Sequence, residues 1–226
     1  MSQVNGAVVL GLPLSGRALV QNSPARRVPS HGTHLMATTY AIDLVPVDAR
    51  GHSAAARDWR RVLATEPPGR FVGFGLPVLA PAHGKVVHVH DGEPDHAARR
   101  SQLALIPYML GQSGRLRQGA AALAGNHVVL ELEDGRGFVA LVHLQRGSIH
   151  VRLGDVILAQ QPIAACGNSG NSTEPHVHLQ VMDRADPMTA TGLPMVFERF
   201  VEYHRGTARL VESGLPAEGS IVEPAD

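Results

Sequence analysis

The stretch "GNSGNSTEPHVHLQV", residues 167–181, decides how the chain is read. Its first half is small and polar. Its second half alternates, with Val177, Leu179 and Val181 apolar and His176, His178 and Gln180 polar. Residues i and i+2 of a strand share a face. The segment therefore reads as a strand with one core face and one polar face, the two imidazoles standing with Cβ atoms roughly 6–7 Å apart. A solvent-facing strand with two incidental histidines explains H-x-H equally well, so the rest of the chain has to decide.

Outward from this stretch the same period of two recurs. "IHVRLGDVILAQQPIAACGNSG" (149–170) holds short strands ahead of it. "GNHVVLELEDGRGFVALVHLQRGS" (125–148) is a hairpin, because Asp-Gly between two alternating runs is a strong turn signal. "GLPVLAPAHGKVVHVHDGE" (75–93) reads as strand, turn, strand. Short strands punctuated by Gly, Pro and Asp predict a mainly β chain with an antiparallel core.

Three segments depart from that pattern. Residues 94–124 are rich in Ala, Leu, Arg and Gln at helical spacing and predict a helical insertion. Residues 49–72, around Trp59, are a polar insertion. The expected organisation is a single β domain over 1–206 with these two insertions, followed by a C-terminal tail, 207–226, ordered only in part.

Composition removes several classes of function. Lys plus Arg and Asp plus Glu are 20 each among 226 residues, so the formal net charge is zero and no basic excess points to nucleic acid. A single cysteine, Cys166, excludes an internal disulfide framework. No apolar run approaches the ~18 residues of a membrane span. The start "GAVVLGLPLSG" is short and broken by Gly and Pro, so it reads as strand and turn rather than a secretory leader. A cytoplasmic location is the expectation, or the cell envelope if a leader is missing. The oligomeric state is not legible.

Thirteen histidines against three tyrosines and one tryptophan is a skewed balance. His143 lies inside the apolar run "FVALVHLQ", and a buried strand carries a polar ring only where the ring has partners. A core histidine bonded to backbone satisfies that condition as well as a functional one. Asp43 lies in the apolar run "YAIDLV" and needs a cation or several donors, or else a turn to cap. His31 and His34 stand upstream in a Gly/Thr loop. Two histidines and a carboxylate with an open position suit catalytic zinc, whereas structural zinc sites favour cysteines.

Taken in order over roughly residues 28–183, these pieces resemble the lysostaphin-type (LytM-like) zinc metallopeptidases, whose core is the duplicated hybrid motif β fold. The resemblance is carried by Asp43 in "YAIDLV", by "GLPVLAPAHGKVVHVHDG", by "GNHVVLEL" and "LVHL", and above all by "GDVILAQQPIAACGNSGNSTEPHVHLQV". It implies a Zn2+ ion held by Asp43, His178 and one upstream histidine, with His143 and His176 as unligated catalytic imidazoles. It implies peptide-bond hydrolysis, with peptidoglycan peptides as substrate; the alternative is a non-catalytic zinc-binding regulatory module on the same fold. The family usually places its first ligand four residues before the aspartate, where this chain has Thr39. His31, with His34 as the alternate, takes that place by similarity to a subgroup with a longer loop. Leu141 replaces the family's tyrosine two residues before His143.

Overall fold

The computed structural model describes residues 6–54, 65–98 and 123–225. Thirteen strands are seen among them. They are Val8–Leu10 (β1), Ala18–Gln21 (β2), Ile42–Pro46 (β3), Pro77–Leu79 (β4), Gly84–His90 (β5), Asn126–Leu132 (β6) and Phe138–Leu144 (β7). The remainder are Val156–Ile157 (β8), Pro162–Ala165 (β9), Val177–Met182 (β10), Met195–His204 (β11), Thr207–Gly214 (β12) and Ile221–Pro224 (β13).

The chain is mainly β, as its alternation predicts. One large sheet runs β1-β11-β13-β2-β3-β10-β7-β6-β5-β8, with β12 on the other edge of β11; β4 and β9 form a second, two-stranded sheet. Every pairing is antiparallel except β1 with β11. Odd residues of β10 and even residues of β6 face the main core, where Val177, Leu179, Val181, Val128 and Leu130 pack with Ile42, Leu44, Leu141 and the β4–β9 residues Val78, Ile163 and Ala164. The opposite face of the same strands carries Val129, Ala140, Val142 and Met182 in a smaller cluster. That second face is the one that presents the polar residues.

The small-residue run before β10 is tied to the start of β6 by close backbone approach. A Cβ on Gly170 (φ +67°) would lie 2.4 Å from the Gly125 amide nitrogen, and one on Gly125 (φ +63°) would lie 2.6 Å from that of Gly170. Buried Asn126 locks the join. Its side chain accepts from the Gly92 and Glu93 amides at 2.8 Å and donates to the Glu93 and Leu144 carbonyls at 2.9 and 3.1 Å.

The predicted helical insertion falls largely on residues outside the described ones. Within its expected bounds, residues 94–98 are non-helical chain that ends in a bridge from Ala98 to Glu66. Trp59 of the 49–72 insertion also lies outside the described residues. The C-terminal segment differs from expectation. In place of a partly ordered tail from residue 207, β12 and β13 flank β11. The reason is a buried carboxylate that composition does not reveal. Glu202 of β11, 2 % exposed, accepts from Arg209 of β12 at 2.8 Å and from the Ala217 amide at 2.7 Å. Val211 and Val222 are buried from the two strands.

Burial alone would raise the Glu202 carboxyl, but the Ala217 amide and Arg209 hold it below its ordinary value. A depressed folded-state pKa adds stability that is present above the unfolded value of ~4.3 and is lost as pH falls through the folded value. Glu202→Gln is therefore expected to cost about 1–3 kcal/mol at neutral pH. The gap to the parent chain should close in urea titrations run in acid. An equal gap at both pH values would contradict this account of the tail.

Candidate metal and catalytic centre

Asp43 stands in β3 directly opposite His178 of β10. Its carboxylate is the hub of the site. His178 Nδ1 lies 2.9 Å from Oδ1, His31 Nε2 lies 3.2 Å from Oδ2, and Asn22 donates to Oδ2 at 2.7 Å. His176 Nε2 lies 3.6 Å from Oδ1. One donor atom each from His31, Asp43 and His178 falls within 4.8 Å of the others. His34 is elsewhere, its Nδ1 3.0 Å from the Thr39 hydroxyl. The loop therefore brings His31, not His34, to Asp43.

Neighbouring groups assign the ring tautomers. Gln180 donates to the Met36 carbonyl at 2.8 Å, so its Oε1, 3.0 Å from His178 Nε2, accepts from that nitrogen. The Ser30 hydroxyl donates to the Thr38 carbonyl and so accepts from His31 Nδ1 at 3.0 Å. Both arrangements turn the second ring nitrogen, His178 Nδ1 and His31 Nε2, toward Asp43 as a lone pair. Two lone pairs facing a carboxylate repel unless a proton or a cation lies among them. A carboxylate with two imidazoles so oriented is a donor set for zinc, and the hydrogen bonds behind the rings are the kind that fix metal-binding histidines. The residues fit the ion that the resemblance implies.

His143 and His176 lie beside this cluster. Opposite Asn126–Val128 of β6, β7 has one residue more, since Asn126 pairs with Leu144 and Val128 with Leu141. His143 sits in this bulge with φ 65°, a backbone state uncommon outside glycine. Bulges re-aim side chains next to sites. Here the ring reaches 4.8 Å from that of His176 and 5.9 Å from that of His178, centroid to centroid. His143 Nδ1 donates to the Ser169 carbonyl at 2.9 Å and His176 Nδ1 to the Glu174 carbonyl at 2.8 Å. His143 thus has Nε2 left as its lone pair, while His176 Nε2 faces Asp43.

Charge separates these groups. Burial would raise the Asp43 carboxyl, but the surrounding imidazoles, His176 foremost, hold it well below the usual carboxylate range. Burial, then His176 and His178, keeps His143 well below the ordinary imidazole value. Burial would lower His176 as well, yet the Asp43 charge outweighs it and raises the ring.

Residues 111–190 match the model of peptidase family M23. The matched segment holds His143, His176 and His178; His31 and Asp43 lie ahead of it. Among solved structures, the catalytic domain of the antimicrobial peptidase lysostaphin from Staphylococcus simulans is 21% identical over 68% of this chain and 74% of that one, with a TM-score of 0.38. The catalytic domain of the prophage-encoded M23 protein EnpA from Enterococcus faecalis is 20% identical over 63% and 81%, with a TM-score of 0.36. A zinc-containing peptidase from Vibrio cholerae is 21% identical over 68% and 47%, with a TM-score of 0.33. No curated protein matched the chain.

The residues that pattern reading did not single out are the supporting ones. Asn22 follows β2 directly, with no motif to mark it. Gln180 shares the parity of the two histidines, which is the signal that could have drawn attention to it. Ser30 and Ser169 act through a hydroxyl and a backbone carbonyl that a sequence does not rank.

Proposed function

We propose that the chain is a zinc-dependent endopeptidase acting on the peptides of bacterial cell wall. The observation that carries the proposal is the meeting of His31, Asp43 and His178 donors within 4.8 Å, beside two further buried imidazoles. The M23 match over 111–190 supports the peptidase reading independently of that geometry.

In this reading His31 Nε2, the Asp43 carboxylate and His178 Nδ1 hold the ion. Bound zinc would supply Lewis-acid polarisation of the scissile carbonyl and a water acidified toward a pKa of ~7. Asn22 and Gln180 orient two of the ligands through the bonds described above. His143, fixed by its bond to Ser169, offers Nε2 to take a proton from the attacking water. His176 Nε2 faces the same space and serves the developing oxyanion or the leaving amine. The chain has no H-E-x-x-H, so these imidazoles stand where other zinc peptidases use glutamate.

The ligand assignment has its own test. His31→Ala is expected to weaken zinc binding by more than about tenfold, the lower bound for changes that merely disturb a ligand. His34→Ala, which removes only a bond to Thr39, should leave affinity close to that of the parent. Equilibrium competition with a chromogenic chelator ranks the two. The reverse order would move the third ligand to His34.

Glycine-containing peptides and purified cell-wall material are the first substrates to offer. New amino termini should appear with the zinc-loaded chain and not after chelation. A chain that holds zinc and cuts nothing across that panel would be a regulatory zinc-binding module instead. Cell-wall peptides lie outside the cytoplasm, so the proposal carries with it that the chain reaches the envelope, which fractionation of the producing cell checks.

A further inference from the structure

A second group of imidazoles lies on the same face of the large sheet. "HVH", residues 88–90 at the end of β5, puts two histidines at i and i+2, and His127 of β6 pairs directly with His90. The arrangement depends on a bulge. Val86 pairs with Leu130 and His88 with Val129, so β5 carries one extra residue, Val87. Without it, His88 would keep the parity of Val86 and point into the main core. With it, His88 and His90 turn to the face that carries His127 and Val129, which is also the face of His178 and Gln180. The rings of His88 and His127 stack with centroids 5.0 Å apart, and those of His90 and His127 at 5.5 Å.

Two of the three rings are held as metal-binding histidines are held. His127 is buried, and its Nδ1 donates to the Gly125 carbonyl at 2.8 Å, which leaves Nε2 as the lone pair. His90 Nε2 lies 3.2 Å from the Glu93 carboxylate, which leaves Nδ1 in the neutral ring. Burial and the neighbouring His88 and His90 together push His127 down to about 4, against the opposing pull of the Gly125 carbonyl. The central ring is thus neutral, and available as a ligand, throughout the physiological range.

We propose that His88, His90 and His127 form a second transition-metal site, taking Zn2+ or a similar borderline divalent ion, with Glu93 holding His90. Three neutral imidazoles from two adjacent strands are a donor set for such ions. As the rings stand they stack rather than converge. His88 is exposed, so it can change rotamer toward His127 Nε2 at small cost while Glu93 keeps His90 in place. The site is distinct from the Asp43 centre. β6 is two strands from β10, roughly 10 Å at the usual strand spacing. The inference does not depend on peptidase activity.

Zinc bound per chain, measured by equilibrium dialysis of the full chain, tests it. The parent chain should take up two ions. The double variant His88→Ala/His90→Ala should take up one, with an unchanged circular dichroism spectrum, and His178→Ala should keep the ion that the double variant loses. Glu93→Gln should weaken the second ion by about 10–100-fold. If the double variant does not fold, His88→Ala alone, at an exposed position, should weaken the second ion by at least tenfold. A parent chain that binds a single ion would overturn the proposal. So would a second ion that survives removal of His88, alone or with His90.

Discussion

His143→Ala is expected to slow peptide hydrolysis by about 10²–10⁴-fold while zinc content stays that of the parent. The expectation follows from where the ring is and what it does not touch. His143 contacts His176 and His178 by its ring faces and edges, and its one hydrogen bond runs from Nδ1 to the Ser169 carbonyl. No bond links it to Asp43. Its removal leaves the three proposed ligands in place and deletes a proton acceptor. A histidine kept only for packing predicts a different result. Losing the partner of a buried carbonyl should cost ~1–3 kcal/mol of stability, with hydrolysis by the folded fraction unchanged. Initial rates, metal analysis and a urea midpoint on the same preparation separate the two. A variant that cleaves as fast as the parent would remove His143 from the reaction.

Asp43→Ala is expected to lower zinc affinity by more than about 10²-fold, the upper figure for changes outside the coordination shell. The carboxylate is the one group that His31, His176, His178 and Asn22 all approach. Without it, two imidazoles remain, and the Asn22 amide loses its acceptor. Asp43→Asn separates charge from shape. It keeps an oxygen near His178 but presents no negative charge to a cation, so it should bind zinc far more weakly than the parent while folding nearly as well. Competition against a chelator of known affinity gives both numbers. Zinc affinity unchanged in both variants would remove Asp43 from the metal site.

Much of this was legible before any coordinates. Period-two alternation in 125–148 and 176–181 is a direct imprint of one buried sheet face, and β6, β7 and β10 fall where it predicts. Asp43 and His143 stood out because a polar group in an apolar strand must have partners, and they have them. The strands that escaped were those whose pairing is long-range. β2 is four residues, too short for its alternation to stand out. β11 to β13 carry charged residues whose burial, at Glu202, depends on Arg209 and on the Ala217 amide. The bulges at Val87 and His143 were also hidden, because an extra residue in one strand shows only against its partner's register. Those two bulges decide where His88, His90 and His143 point.

The most direct test of the account is a zinc titration into metal-free chain, with hydrolysis of a cleavable cell-wall peptide followed at each addition. Activity should be absent at the start and rise as zinc fills the Asp43 centre, while His178→Ala stays inactive throughout the titration. Hydrolysis by the metal-free chain, or a full rise in His178→Ala, would contradict the claim that His31, Asp43 and His178 hold the metal on which the reaction depends.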